Sequence, residues 1–182
     1  MIALFPPQVK SAKCAAAYSE LRMNNDTHRE EVLISGYDDR EADAFARLSR
    51  EWLERYFTVD DRDRKYIDHP RESIIDQGGE IFFARLGGDV VGTVAAIRHD
   101  AESVELAKLA VTERAQGRGI GRKLSEAVIA WSREAGATKV VLVSASQLEV
   151  AIALYERLGF VHTPQVGERW YPEADVYMEL ML

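Results

Sequence analysis

The segment Gln116-Gly117-Arg118-Gly119-Ile120-Gly121-Arg122-Lys123 limits what this chain can fold into more than any other stretch. It lies between an apolar run, Val104 to Val111, and a helical repeat of Ile120, Leu124, Ala127, Val128 and Trp131 that stops at Gly136. A β-branched run typical of a buried strand, Lys139 to Val143, comes next. Strand, glycine loop, helix and strand in that order make a crossover, and a crossover sets its two strands parallel. Glycines at 117, 119 and 121 remove Cβ atoms where backbone must approach a ligand, and the free N–H groups of the helix start point at whatever binds there.

The flanking sequence completes the sheet. Val32, Leu33 and Ile34 form a short strand, and Asp38 followed by Glu41 has the form of a helix N-cap. Phe45, Leu48, Trp52 and Tyr56 then recur at helical spacing. Pro70 opens a short helix through Ile74 and Ile75 that ends at Gly78-Gly79. Glu80 to Leu86 and Asp89 to Arg98 are strands joined at Gly87-Gly88, and Val104 to Val111 extends them into an antiparallel meander. A helix through Ala151, Leu154, Tyr155 and Leu158 stops at Gly159, and Asp175 to Leu182 alternates as a last strand. The expected class is therefore mixed α/β: a central, mostly antiparallel sheet with one parallel pair and about four flanking helices.

The length of 182 residues predicts one folded domain over 31–182, preceded by a tail over 1–30 that lacks sustained periodicity. The change of character at Met23 makes that residue a candidate start. Cys14 alone forms no internal disulfide, and His28, His69, His99 and His162 lack metal-ligand spacing, so a cytoplasmic compartment and a metal-free site are the default expectations. A net charge of −7 disfavours nucleic acid as a partner, and no apolar run reaches the roughly 20 residues of a membrane span.

Within this acidic chain the glycine loop is locally basic, with Arg114, Arg118, Arg122 and Lys123, and it suits a phosphate. A Walker A loop or a dinucleotide fingerprint counted from Gly117 demands glycine at 122 and finds Arg122. Counted as Gln116-x-x-Gly119-x-Gly121, the segment resembles the pyrophosphate loop of the GNAT superfamily of acyl-CoA-dependent N-acyltransferases. Val104-Glu105-Leu106-Ala107-Lys108-Leu109-Ala110-Val111 looks like the strand before that loop. Ala151-Ile152-Ala153-Leu154-Tyr155-Glu156-Arg157-Leu158-Gly159-Phe160 resembles the family's later helix and turn.

The resemblance covers roughly residues 32–182 and implies a GNAT-like fold in which the parallel strands splay apart. It implies acetyl-CoA or another acyl-CoA as co-substrate, its pyrophosphate on the backbone of Gln116, Gly117, Arg118, Gly119, Ile120, Gly121 and Arg122. The pantetheine arm would run along Leu109, Ala110 and Val111, with a main-chain N–H near Val111 polarising the thioester carbonyl. Tyr155 matches the family position beside the CoA sulfur and is the expected general acid. The reaction implied is acetyl transfer to a primary amine by direct attack in a ternary complex; the alternative is a non-catalytic acyl-CoA-binding or regulatory module.

Glu105 lies on the strand that would flank the acyl group and is the expected base or amine anchor, against a reading as a strand carboxylate paired with Arg98 or Lys108. Cys14 stands in the tail with no nearby histidine and is a poor nucleophile. Where the family often has Asn, three residues before Ala151, this chain has Leu148, with Ser146 or Gln147 as substitutes. The acceptor, a small-molecule or peptide amine, would be selected by Trp52 to Phe57 and Asp60 to Asp63. The blander reading makes Trp52 and Tyr56 core and Asp60 to Asp63 a solvated turn. Trp170-Tyr171-Pro172 reads equally as a homodimer contact or a pocket rim.

Overall fold

Apolar residues alternate along the central strands and build a core on each face of a seven-stranded sheet. The computed structural model describes residues 31–164 and 174–182. The expected tail over 1–30, Cys14 and Trp170-Tyr171-Pro172 lie outside these residues. The strands are β1 (Leu33–Ser35), β2 (Glu80–Leu86), β3 (Asp89–Arg98), β4 (Ser103–Val111), β5 (Lys139–Ser144), β6 (Val161–His162) and β7 (Val176–Met181), in the order β1-β2-β3-β4-β5-β7-β6. Every neighbouring pair is antiparallel except β4 with β5. Four α-helices accompany them: α1 (Ala42–Tyr56), α2 (Asp61–Asp68), α3 (Ile120–Glu134) and α4 (Glu149–Arg157).

On one face Val94 and Ala96 of β3, Val104 and Leu106 of β4 and Val140 and Leu142 of β5 pack with Leu124 and Val128 of α3 and Tyr155 of α4. On the other, Phe83, Ala95, Ile97 and Ala107 pack with Phe45 of α1 and Ile74. The sheet is apolar on both sides, which is why the runs over β3 and β4 are nearly continuous in the sequence.

Three local elements differ from expectation. Asp38 caps only a 3-10 turn, Asp39–Glu41, accepting from the Arg40 N–H at 3.0 Å, and α1 begins after it. The segment after Pro70 is a single π-helical turn, Arg71–Ile75. Asp60 to Asp63, read as a solvated turn, is the start of α2. Asp60 Oδ1 accepts from the Asp63 N–H at 2.8 Å and Asp63 Oδ2 accepts from the Asp60 N–H at 3.3 Å, a reciprocal cap. The two-residue strand β6 is too short to leave a periodic signal.

A bulge in β4 changes which face its residues serve. Thr93 pairs with Ala110 but Ala95 pairs with Ala107, so β4 carries one residue more than β3 across that interval. Before the bulge Val104 and Leu106 face α3; after it Leu109 and Val111 do. Lys108 takes the bulge at φ 53°, the sole non-glycine with positive φ among the described residues. Its Nζ lies 2.5 Å from Asp63 Oδ1, and the two side chains are 6% and 4% exposed. That pair ties α2 to the bulge.

Two changes test this packing. A Cβ at Gly79 would meet the Ala96 carbonyl oxygen at 2.5 Å and that of Ile74 at 2.9 Å, so Gly79→Ala should cost about 1–3 kcal/mol in a urea melt. Asp63→Asn leaves a buried ammonium without its counter-charge and should cost about 3–5 kcal/mol, with Asp63→Leu/Lys108→Met recovering most of it by the same measurement.

Candidate active site

β4 and β5 stay together for three residue pairs, Ser103 with Lys139, Val104 with Val140 and Glu105 with Val141. Beyond them β5 is paired only with β7, so the edge of β4 from Leu106 onward faces no strand. A cavity of about 220 Å³ occupies the gap, lined by Glu105 to Leu109 on one side and by Val143, Ser144, Leu148 and Tyr155 on the other. It connects the two faces of the sheet, because Tyr155 belongs to the core under α3 and α4 whereas Asp63 and Lys108 belong to the α2 side. The splay expected by resemblance is present.

The glycine loop stands at the C-terminal end of β4. Gly117 and Gly119 have φ 73° and 75°, and a Cβ at either position would meet nothing within 4 Å. The positive φ at both positions by itself selects glycine. Gly121 alone is close-packed, 3.4 Å from Leu154, and lets α3 approach α4. Gly119 forms the N-cap of α3 without a side-chain cap, and the first turn closes through the Lys123 N–H on the Gly119 carbonyl at 3.1 Å. The N–H groups of Ile120, Gly121 and Arg122 therefore have no acceptor within the helix, an arrangement that suits an anion. The loop is less basic than its sequence suggests: Arg114 pairs with Asp89 at 2.8 Å and Arg122 with Glu126 at 2.7 Å. Arg118 has no ion pair among the described residues. Gln116 donates from Nε2 to the Val111 carbonyl at 3.1 Å, which anchors the loop to β4.

Tyr155 is held by α4 with its ring edge-on to Phe160, centroids 5.9 Å apart. Burial pushes its phenol well above the ordinary tyrosine range, so the hydroxyl stays protonated at neutral pH. Glu105 lines the same cavity, and its Oε2 lies 2.9 Å from His99 Nε2. This replaces the pairing with Arg98 or Lys108: the Arg98 guanidinium donates to the carbonyls of Asp100, Ala101 and Ala135, and Lys108 is held by Asp63. Leu148 lies on the cavity wall at the N-terminus of α4. Ser146, a candidate to stand in for the Asn, bonds the Asp175 carboxylate at 2.7 Å through both its N–H and its Oγ.

Of the three residues expected along the pantetheine arm, Leu109 lines the main cavity. Ala110 and Val111 line a second one of about 150 Å³ beneath α1, with Leu48, Arg55 and Gln116. Trp52 borders both cavities and is thus more than core, and Tyr56 is 44% exposed. Two contacts escaped the sequence reading, His99 with Glu105 and Asp63 with Lys108. His99 lies six residues from Glu105 and left no signal, because only the β3–β4 turn brings it back. Asp63 carried a signal, the Asp-x-x-Asp of a reciprocal cap, that marks a helix start and not a solvated turn. Among the described residues no cluster of His, Cys, Asp and Glu could hold a metal ion, and no helix is long and apolar enough to cross a membrane.

Comparison with known proteins bears on the same region. The chain is 34% identical over 97 residues to N-acetyltransferase family 8 member 2 of Rattus norvegicus, a match covering 50% of this chain and 43% of the relative. It is 37% identical over 86 residues to the N-acetylaspartate synthetase of the same species, covering 47% of this chain and 29% of that one. The chain therefore spans less than half the length of these curated relatives. A GNAT-family acetyltransferase from Staphylococcus aureus Mu50 superposes with TM-score 0.74 at 18% identity, covering 82% of this chain and 98% of the other. A GNAT-family acetyltransferase from Elizabethkingia anophelis with acetyl-CoA bound gives TM-score 0.64 at 20% identity over 83% of this chain and 98% of that one. The model of the Acetyltransferase (GNAT) family matches residues 45–160, the span from Phe45 of α1 to Phe160 after α4, and the chain belongs to that family.

Proposed function

We propose that this chain transfers an acetyl group from acetyl-CoA to a primary amine by direct attack within a ternary complex. The observation that carries the reading is the gap between β4 and β5, with a buried neutral phenol, Tyr155, on one wall and a carboxylate, Glu105, on the other. The names of the relatives, which are N-acetyltransferases and an N-acetylaspartate synthetase, and the acetyl-CoA in a structural neighbour support the donor and the class of reaction.

In this reading the N–H groups from Gln116 to Arg122 hold the pyrophosphate at the start of α3. The pantetheine arm passes Leu109 toward Tyr155. Main-chain N–H groups on the open edge of β4, between the Lys108–Leu109 bulge and Val111, polarise the thioester carbonyl. Tyr155 donates its proton to the departing thiolate. Glu105 receives a proton from the amine, which arrives from the α1–α2 side past Trp52 and Phe57. The acceptor is a small-molecule or peptide amine.

Thermal melts with and without acetyl-CoA test the donor site. At about a hundred times its dissociation constant the ligand should add roughly 2.7 kcal/mol, a gain of several degrees that Gly119→Glu abolishes. No gain with any acyl-CoA overturns the reading. Turnover is then measured with spermidine, L-aspartate, an aminoglycoside and a lysine-containing peptide; binding without turnover of any amine indicates the non-catalytic module.

Tyr155→Phe should lower turnover by roughly 10²-fold while leaving the melt with acetyl-CoA unchanged. Because the Tyr155 pKa is raised, the protonated acid persists through neutral and mildly basic pH. Turnover should therefore show no fall between about pH 7 and about pH 9 that Tyr155→Phe removes. Such a fall would exclude Tyr155 as the acid.

A further inference from the structure

Acyl transfer to an ammonium releases one proton overall: an ammonium and a thioester become an amide, a thiol and H⁺. Of the two protons that leave nitrogen, one ends on sulfur and the other must reach bulk water. Glu105 is badly placed to deliver it, since its side chain is 6% exposed on the cavity wall. His99 Nε2 is 2.9 Å from Glu105 Oε2, and the imidazole is 29% exposed. The ring reaches back from just past the end of β3, where the His99 N–H bonds the Ser103 carbonyl at 3.1 Å. One end of the dyad touches the cavity and the other touches solvent.

We propose that His99 acts through Glu105 as a positioning and relay residue that takes the acceptor's proton out of the cavity. This rests on the acyl-transfer reading above. An N–H bond of the ammonium breaks as an O–H bond forms on Glu105. While Glu105 is ionised Nε2–H donates to Oε2; exchange with water moves the ring proton to Nδ1 once Glu105 is protonated, and the O–H then breaks as a new N–H bond forms on Nε2. The imidazolium then releases its Nδ1 proton to water, which restores the starting tautomer. No atom changes oxidation state.

Tyr66 of α2 faces Glu105, and its phenol is raised by burial first and by the Glu105 charge second, so it stays neutral. Arg62, also on α2, acts on Tyr66 in the opposite sense. Asp100, in the turn beside His99, is held ionised chiefly by its hydrogen bond from Ser103. On the neighbouring strands Lys139 pairs with Glu179 at 3.7 Å and Lys108 with Asp63 at 2.5 Å, and the Arg98 guanidinium beside His99 donates to the carbonyls of Asp100, Ala101 and Ala135.

The dyad is tested first without an acceptor. In ¹⁵N-labelled full-length protein the ring resonance that disappears in His99→Gln should shift in Glu105→Gln; an unchanged resonance overturns the pairing. Turnover is next measured with the fastest amine of the panel above. His99→Gln should reduce the rate roughly tenfold and remove one rising limb of the pH profile, with the KM for acetyl-CoA unchanged. Added imidazole should restore the rate in proportion to its concentration. A loss that imidazole does not repair, with the pH profile intact, makes His99 a packing residue and overturns the relay. Full activity in His99→Gln beside a reduced Glu105→Gln overturns the relay alone, whereas full activity in both overturns Glu105 as the base.

Discussion

The site depends on a parallel strand pair that is allowed to fail. β4 and β5 share three registered pairs and then separate, because β5 is committed over its whole length to β7 while β4 is committed to β3. Each strand keeps one full ladder, so the sheet stays cohesive while the β4 edge beyond Glu105 is left facing a cavity. Unpaired main-chain groups inside a protein are costly, and a chain that retains such an edge at its centre keeps a place where another molecule can complete the ladder.

The bulge at Lys108 makes that edge usable. An uninterrupted β4 would carry Leu109 and Val111 to the α1 side and strip the core beneath α3 of two apolar side chains. Placing lysine in a left-handed conformation costs roughly 1–2 kcal/mol, offset by its buried pairing with Asp63. Helix α2, the bulge and the cavity wall thus form one mechanical unit, and a change in α2 would be felt at the strand edge.

Much of this was legible in the sequence. The meander, the crossover through α3 and the return strand β7 each rest on apolar runs of readable period. The roles of Tyr155 and the glycine loop came from the family resemblance of the segments that hold them. What escaped depended on encounters between distant residues. His99 meets Glu105 only because a turn folds back, and Lys108 meets Asp63 across 45 positions. Nothing in an alternating run betrays the bulge at Lys108 either. The charge of the loop was overstated for the same reason, since Asp89 pairs with Arg114 from another strand.

The two open glycines of the loop leave one last consequence. With no protein atom near the missing Cβ atoms, the protein's own demand at Gly117 and Gly119 is one of handedness. A left-handed backbone strains an ordinary alanine but is the natural home of its mirror image. At these two positions D-alanine would keep the cradle of N–H groups and stiffen it, whereas the L-enantiomer, of identical volume, would distort it.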